Sequence, residues 1–374
     1  MTNCRPILSI AIVLTICTLT AQSFQVQQDF IDVKGPTLSA RMESAIKAAR
    51  SRPQIMPFWM GYSFNVRPGV SIGAYDRQSK KGAGIPAAAP PETRNVGVFL
   101  LHDPDRNSIT RLELYNLDRR NEFGGHPVYW LGRAENNESI KLLQSIITDS
   151  AAPQVAEQIT SAIALHDGTD TILAIKELLL GSSNQKARTT AAFWYGQVST
   201  DTSLLAQLVR NDKEYTELRK QAAFSLGVSK DKNSLNTLQD LYNAVANREV
   251  KEQIIFAASI NEAKDQSIDF LLKIAQAEPD REMRKRALFW LGQKAGEKSL
   301  QGLRAVTTSS DADADVQTQA VFAISQRPAN EAVPALINLA KIHPNPEIRK
   351  QAIFWLSQTG DERALEFFKQ LLAK

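Results

Sequence analysis

The chain has 374 residues, with 44 basic and 40 acidic side chains and a net charge of +4. So even a balance excludes the concentrated basic surface that nucleic acid demands. Apolar residues at 43% and charged residues at 22% are ordinary for a globular fold.

Arg5, the apolar run Ile7 to Leu19 and the small residues of Ala21-Gln22-Ser23 make residues 1–23 read as a signal peptide. The run is shorter than the roughly 20 residues of a membrane span. Export to the periplasm or the exterior is therefore expected, with no integral span after cleavage. Leu14-Thr15-Ile16-Cys17 is a poor lipoprotein box, because Ile16 stands where a small residue belongs, so anchoring at Cys17 is not expected. Both cysteines, Cys4 and Cys17, fall in this segment. Its removal leaves no disulfide, no Cys-ligated zinc and no Cys nucleophile.

Residues 24–122 read as a small α+β module that caps the C-terminal part of the chain. Leu38, Met42, Ile46 and Ala49 mark one face of a helix. Phe58 to Phe64 and Val70 to Tyr75 are rich in strand formers. Gln78 to Glu92 is rich in Lys, Gly, Ala and Pro and reads as a loop. Val96 to Leu101 and Ile109 to Asn116 predict a hairpin, since Leu112 and Leu114 alternate with Arg111 and Glu113.

From 123 to 374 the chain repeats. An aromatic anchor recurs at Tyr129, Phe193, Phe224, Phe256, Phe289, Phe322 and Phe354, with Ser161 filling the remaining register. Each copy of about 32 residues predicts two helices. The first carries the anchor; the second opens on an aliphatic residue: Ile140, Ile172, Leu204, Leu235, Ile268, Leu300, Val333 or Leu365. The last copy shows the punctuation. Asn345-Pro346-Glu347 opens its first helix and Thr359-Gly360-Asp361 ends it. No such pair buries its apolar face alone, so neighbours must stack.

Three residues after the anchor the side chain is always small, from Gly132 and Ala164 to Ser325 and Ser357, which is expected to let the two helices of one unit approach. Directly after the anchor, Trp130, Trp194, Trp290 and Trp355 are interspersed with Ala162, Ser225, Ala257 and Ala323. This predicts large and small residues interlocking between copies, with the tryptophans as packing residues on the buried stripe.

The pattern apolar-Arg-x-x-Ala-x-aromatic-x-Leu-Gly, as in Met283 to Gly292, followed by a short loop and an aliphatic helix, resembles HEAT repeats. It is closest to the short type first noted in phycobilin lyases, and the whole chain resembles bacterial secreted HEAT-repeat proteins. The resemblance implies a mostly α fold: an α-solenoid of about eight helical hairpins, its second helices lining a concave side. Trp at a position usually small in the family implies wider helix packing there. Certain HEAT-repeat oxygenases carry His-Glu pairs in their repeats; this chain lacks them.

Other motifs have simpler readings. Asp103-Pro-Asp105-Arg-Asn107 begins like a calcium loop, but Ser108 replaces the required Gly and Leu114 the bidentate Glu, so a hairpin turn is expected. Asp311, Asp313 and Asp315 read as a helix N-terminus, and Gly82-Ala-Gly84 follows no strand. The histidines, His102, His126, His166 and His343, pair at no ligand spacing. The basic line Arg188, Arg219, Lys251, Arg284 and Arg349 reads as pairing with acids or capping carbonyls of the preceding unit. No cofactor or metal is expected.

Helical spacing from each aliphatic opener places Lys141, Asn236, Asp240, Asp269, Lys273, Gln301, Arg304 and Asn338 on the open side of the second helices. The same lines hold Leu173, Leu205 and Leu208, a cluster of exposed aliphatics. These residues form the expected groove for a protein partner. The function expected is an exported scaffold or adaptor and not an enzyme. The competing class is a lyase-like or hydrolytic enzyme using His102, Asp103 or Glu113 in the N-terminal module.

Overall fold

The computed structural model describes residues 30–72, 92–149, 153–309 and 313–373. The signal peptide of 1–23, Tyr75, residues 78–91 of the Lys/Gly/Ala/Pro-rich stretch and Asp311 lie outside the described residues. The N-terminal elements are β1 (Ile31–Asp32), α1 (Leu38–Arg50), β2 (Phe58–Ser63), β3 (Val96–Asp103), β4 (Ser108–Asn116) and β5 (Val128–Arg133). They form a sheet of order β1-β5-β2-β3-β4. β5 runs parallel to both β1 and β2, and the β2-β3-β4 ladder is antiparallel.

Thr37 starts α1 by accepting the Ala40 N–H, and Leu38, Ala45 and Ala49 face the sheet. The β3-β4 hairpin forms where expected. The Asp103 carboxylate accepts the Asp105 and Arg106 N–H groups, and Asn107 takes a positive φ of 49°, so this segment is a tight turn. One sheet face, with Phe58, Met60, Tyr62, Val98 and Leu100, joins the main core. The other carries a separate aromatic cluster around Phe99. A Cβ on Gly61 would lie 2.4 Å from the Phe99 ring, so that ring rests on bare backbone. Val70 and Ile72 lie outside any strand.

The helical stack consists of α2 (Asn136–Asp149), α3 (Pro153–Ala164), α4 (Thr169–Gly181), α5 (Gln185–Val198), α6 (Ser203–Arg210), α7 (Thr216–Gly227), α8 (Ser234–Ala244) and α9 (Arg248–Ile260). It continues with α10 (Lys264–Ala277), α11 (Arg281–Gly292), α12 (Glu297–Thr308), α13 (Ala314–Ser325), α14 (Ala329–Ile342), α15 (Pro346–Ser357) and α16 (Glu362–Leu372). The fold is a mostly α solenoid of stacked hairpins with a small β-containing N-terminal module. Among the described residues seven hairpins are complete, α3/α4 to α15/α16. The eighth is not: where the register predicts a helix at Tyr129, the chain forms β5, and α2 alone represents that unit. Pro127 and the β-prone Val128-Tyr129-Trp130 favour extension, and β1 and β2 supply the ladder. Residues 123–135 therefore belong with the sheet and its exit loop, and the helices begin at Asn136.

Odd-numbered helices from α3 form one layer and even-numbered helices the other; each even helix from α4 to α14 packs on the first helix of the next unit, and all of these but α6 also pack firmly on their own partner. The small residue after the anchor works between units, not within one as expected. A Cβ on Gly227 would lie 2.6 Å from the Ala257 carbonyl oxygen, and one on Gly292 would lie 2.7 Å from that of Ala323. Gly196 meets Ser225 in the same way. The predicted interlock is thus a pairing of the small position in one first helix with the post-anchor position in the next. Gly stands before Ala or Ser. Ala164, Ser259 and Ser325 stand before Trp194, Trp290 and Trp355. Where Ser precedes Trp, between α9 and α11 and between α13 and α15, the helices approach less closely; α3 and α5, where Ala164 precedes Trp194, stay close, so tryptophan alone does not widen the packing as the family resemblance implies.

The three helical tryptophans are only half-buried, which corrects their placement on a buried stripe. Their rings lie at the surface of the first-helix layer. Trp290 meets Phe256 at 4.8 Å, Trp355 meets Phe322 at 5.1 Å, and Phe193, Phe224 and Phe256 stack successively at 6.3 and 6.0 Å.

Polar stitches cross the same boundaries. Arg188, Arg219 and Arg284 donate through Nε to Leu179, Val209 and Ala275, carbonyls in the last turn of the preceding second helix. Arg349 reaches the His343 carbonyl. Lys251 instead sits over the Tyr242 ring at 4.8 Å. Five residues after the anchor, a buried polar side chain reaches a buried serine of the preceding unit: His166 to Ser139, Asn261 to Ser234 and Arg327 to Ser299. Arg327 also holds the Gly296 carbonyl and the Glu331 carboxylate.

At His166 the stitch extends into the N-terminal module. Nδ1 lies 2.9 Å from the Ala162 carbonyl, so it carries the proton. Nε2 then accepts the Ser139 hydroxyl at 2.7 Å, and Ser139 accepts the Tyr62 hydroxyl at 2.9 Å. Phe64 stacks on the imidazole at 3.9 Å. Burial raises the Tyr62 pKa and depresses that of His166 to about 4, against the pull of its carbonyl contacts.

This packing has two measurable consequences. Gly227→Ala and Gly292→Ala remove a poor helix former, which alone favours the variants by up to about 1 kcal/mol. The backbone contact opposes this with an overpacking cost of roughly 1–3 kcal/mol, so urea unfolding should show both variants destabilised. His166 is neutral in the folded chain, whereas unfolding restores a pKa near 6.5. Stability is then lost as pH falls from about 6.5 to about 4, by roughly 3 kcal/mol. Melting temperatures across that window should fall for the native chain and change less steeply for His166→Gln, which lacks this titration.

Candidate functional site

The second-helix layer carries the candidate groove. Because the openers up to Val333 face the core, wholly or in part, the next position turns outward, whereas Leu365 of the last helix is itself exposed. Lys141, Asn236, Asp240, Asp269, Lys273, Gln301 and Asn338 are exposed there, and Arg304 is half-buried. Leu173 is 58% exposed, as expected. Leu205 and Leu208 are not part of the groove: they are 0% and 5% exposed. α6 is the shortest helix of the stack, and its buried line runs through Leu205, Ala206, Leu208 and Val209, rotated from the phase of its siblings. The expected aliphatic cluster therefore reduces to Leu173, with Leu180 two turns further along α4.

A cleft of about 460 Å³ lies between α8 and α10. Gln239, Asp240 and Asn243 line one wall, and Asp269 and Lys273 the other, with Glu278 at the end. Tyr242, Phe270 and Ile274 form its floor. The rim is mainly acidic. Asp269 is held by Lys298 at 2.6 Å.

Tyr242 is the unusual member. It is 3% exposed, meets Phe270 edge-on at 5.7 Å, and its hydroxyl makes no well-formed hydrogen bond among the described residues. Burial, then the hydrogen-bonding pull of the Glu278 carboxylate and the charges of Glu278 and Asp280, raise its pKa, so it stays protonated as a donor. An unmet buried hydroxyl carries a desolvation penalty that a ligand or water acceptor removes. Sequence reasoning found Asp240, Asp269 and Lys273 and missed Tyr242. The available signal was a phenol on a line occupied elsewhere by aliphatic or small residues, such as Leu179 and Ala275.

The enzyme alternative fares differently. His102 is buried and stacks on Phe58 at 4.9 Å on the core face of the sheet, while Glu113 lies opposite Phe99 on the other face, paired with Arg111 at 2.6 Å. Burial and the nearby Arg50 lower the His102 pKa, and Asp103 serves the turn. The three side chains do not converge. Ser139 and His166 make a serine–histidine pair, but both are sealed in the core. Among the described residues no three His, Cys, Asp or Glu side chains are placed to hold a metal, and no helix is long and apolar enough to cross a membrane.

A family model described as HEAT repeats matches residues 303–374. No curated protein matches the chain at a significant level. Three of the solved structures that match are the following. Human deoxyhypusine hydroxylase in complex with glycerol is 14% identical, covering 62% of this chain and 84% of that one, with a TM-score of 0.28. The Escherichia coli protein YibA is 16% identical, covering 60% and 82%, with a TM-score of 0.34. A computationally designed self-assembling cyclic homooligomer is 16% identical, covering 64% and 82%, with a TM-score of 0.12.

Proposed function

We propose that the chain is an exported, non-catalytic scaffold that captures a protein partner along its second-helix layer, with the α8/α10 cleft as the principal contact. The observation that carries this reading is the cleft itself. An acidic rim of Asp240, Asp269 and Glu278 surrounds an apolar floor in which the Tyr242 hydroxyl, beside Glu278, makes no well-formed hydrogen bond among the described residues. That combination suits a partner side chain with an apolar stem and a cationic or amide head. The hydroxyl would gain an acceptor and the carboxylates a counter-charge. The stack extends the contact on both sides with exposed polar positions such as Asn236, Gln301 and Asn338. The residues suited to general acid or base work lie sealed in the core or on opposite sheet faces, which supports a binding role over a catalytic one. The signal-like residues 1–23 support export.

Asp240 and Asp269 are exposed, so their replacement should leave folding intact. Capture from the envelope fraction of the producing cell, using the full chain as bait, should recover a defined protein. Asp240→Lys with Asp269→Lys should lower recovery at least tenfold at unchanged far-UV circular dichroism. Equal recovery by the variant would remove the cleft from the account, and no specific protein at all would overturn the scaffold reading.

A further inference from the structure

The chain already docks an extended segment on its own first-helix layer. Residues 65–67, which follow β2, pair antiparallel with residues 165–167 at the end of α3, centred on a bridge between Val66 and His166. The Arg67 N–H donates to the Leu165 carbonyl at 2.9 Å, and the Asp167 N–H donates to the Asn65 carbonyl at 3.0 Å. The Arg67 guanidinium then lies over the Trp194 ring at 5.6 Å. This site has three parts: the outward carbonyl four residues after the anchor, the outward N–H two residues later, and the tryptophan of the next first helix.

The same three parts recur 95 or 96 residues further along the sequence. Leu165-His166-Asp167 corresponds to Ile260-Asn261-Glu262, and Trp194 to Trp290. The inward side chain recurs too: His166 turns to Ser139 and Asn261 turns to Ser234, although Ile260 is the last residue of α9 whereas Leu165 lies just beyond the end of α3. Here, however, the Ile260 carbonyl and the Glu262 N–H make no bond to another described residue, and no described cation covers Trp290. Phe289 meets the ring edge-on at 5.0 Å, and Phe289 and Ile260 are each 36% exposed. A third tryptophan supplies a natural contrast. Before Trp355 the corresponding residues are Gln326-Arg327-Pro328, and Pro328 has no N–H to donate.

We infer that the ledge formed by Ile260, Glu262 and Trp290 is a second docking site, which takes an extended partner segment carrying an apolar residue followed by arginine. The segment adds as a short antiparallel bridge to residues 260–262 and lays its guanidinium on Trp290. At the first site Asn136 also braces the segment, bonding the backbone of Asn65 and the Asp167 carbonyl. Asp231 stands in the corresponding place at the second site and is occupied with Asn233, so the second site lacks that brace and holds its segment less tightly. This ledge is in the first-helix layer and is independent of the α8/α10 cleft.

The chain supplies the probe. A fluorescein-labelled peptide of residues 63–69, Ser-Phe-Asn-Val-Arg-Pro-Gly, is titrated with the full protein and followed by fluorescence anisotropy. The tethered copy holds the Trp194 site at high effective concentration, leaving the Trp290 ledge for the peptide. Saturable binding is expected, at least tenfold weaker when Ala replaces the peptide arginine and at least tenfold weaker for Trp290→Ala. Trp355→Ala should bind as the native protein does. Because Trp290→Ala risks a packing defect, Glu262→Pro provides a second arm. It removes the N–H, as Pro328 does naturally, together with the side-chain carboxylate, for which Glu262→Ala is the control; Asn261 before it is already extended at φ −65° and ψ 146°. Glu262→Pro should also lose at least tenfold. No saturable binding up to millimolar protein would overturn the assignment. So would binding indifferent to both Trp290→Ala and Glu262→Pro, or equally weakened by Trp355→Ala.

Discussion

The contact on which the structure depends is the near-touching of successive first helices. At Gly227 against Ala257, and at Gly292 against Ala323, backbone meets backbone with no room for a methyl group. That approach fixes the spacing of one layer, and the second helices fill the wedge that remains. Each unit buries its apolar face on the next, so stability is a sum over neighbour contacts and not the property of one central core. Size is matched pair by pair: glycine before a small residue, serine or alanine before tryptophan. The wider serine–tryptophan joints let indole rings out to the surface, where Phe256 and Phe322 support them.

Burying so many helix ends leaves carbonyls in need of donors. The chain meets this with two recurring devices. Arginine near the start of a first helix donates to the last turn of the helix before it. A polar side chain five residues after the anchor reaches a buried serine in the preceding unit. The N-terminal module enters the stack through the second device, as Tyr62 extends the Ser139–His166 pair into the sheet. The module also replaces the missing first helix with β5, so the stack does not end on an open apolar face. Gln158 of α3 accepts the Leu112 N–H from β4 and closes the same joint.

Much of this was legible in the sequence. The register of anchors and openers located the hairpins, and the carbonyl-capping reading of the arginine line was correct for four of five members, Lys251 being the exception. Among the readings that missed, three have a plain physical reason. Periodicity cannot distinguish a helix from a strand over a stretch as short as Val128 to Arg133. The phase of α6 depends on the loop that delivers it, so Leu205 and Leu208 were assigned to the wrong face. Spacing identified a small residue after each anchor, yet which helix it faces is a tertiary fact. The polar stitch was visible as His166, Asn261 and Arg327 in one register, but it has meaning only once the serines opposite are seen.

The binding surfaces arise from the same geometry. A stack of similar units repeats its outward groups, and function rests on the few positions where repetition is broken: a phenol on an aliphatic line, or a tryptophan whose neighbours leave it uncovered. Both depend on matched pairs between units setting the spacing of the layer. The most direct test is a double-mutant cycle at one joint, with Gly292→Ser and Ala323→Trp converting the narrow pairing into the wide one. Measured by urea unfolding, each single change should be destabilising. The pair should cost less than the sum by at least about 1 kcal/mol, the size of coupling expected for residues in contact. Strict additivity would contradict the account.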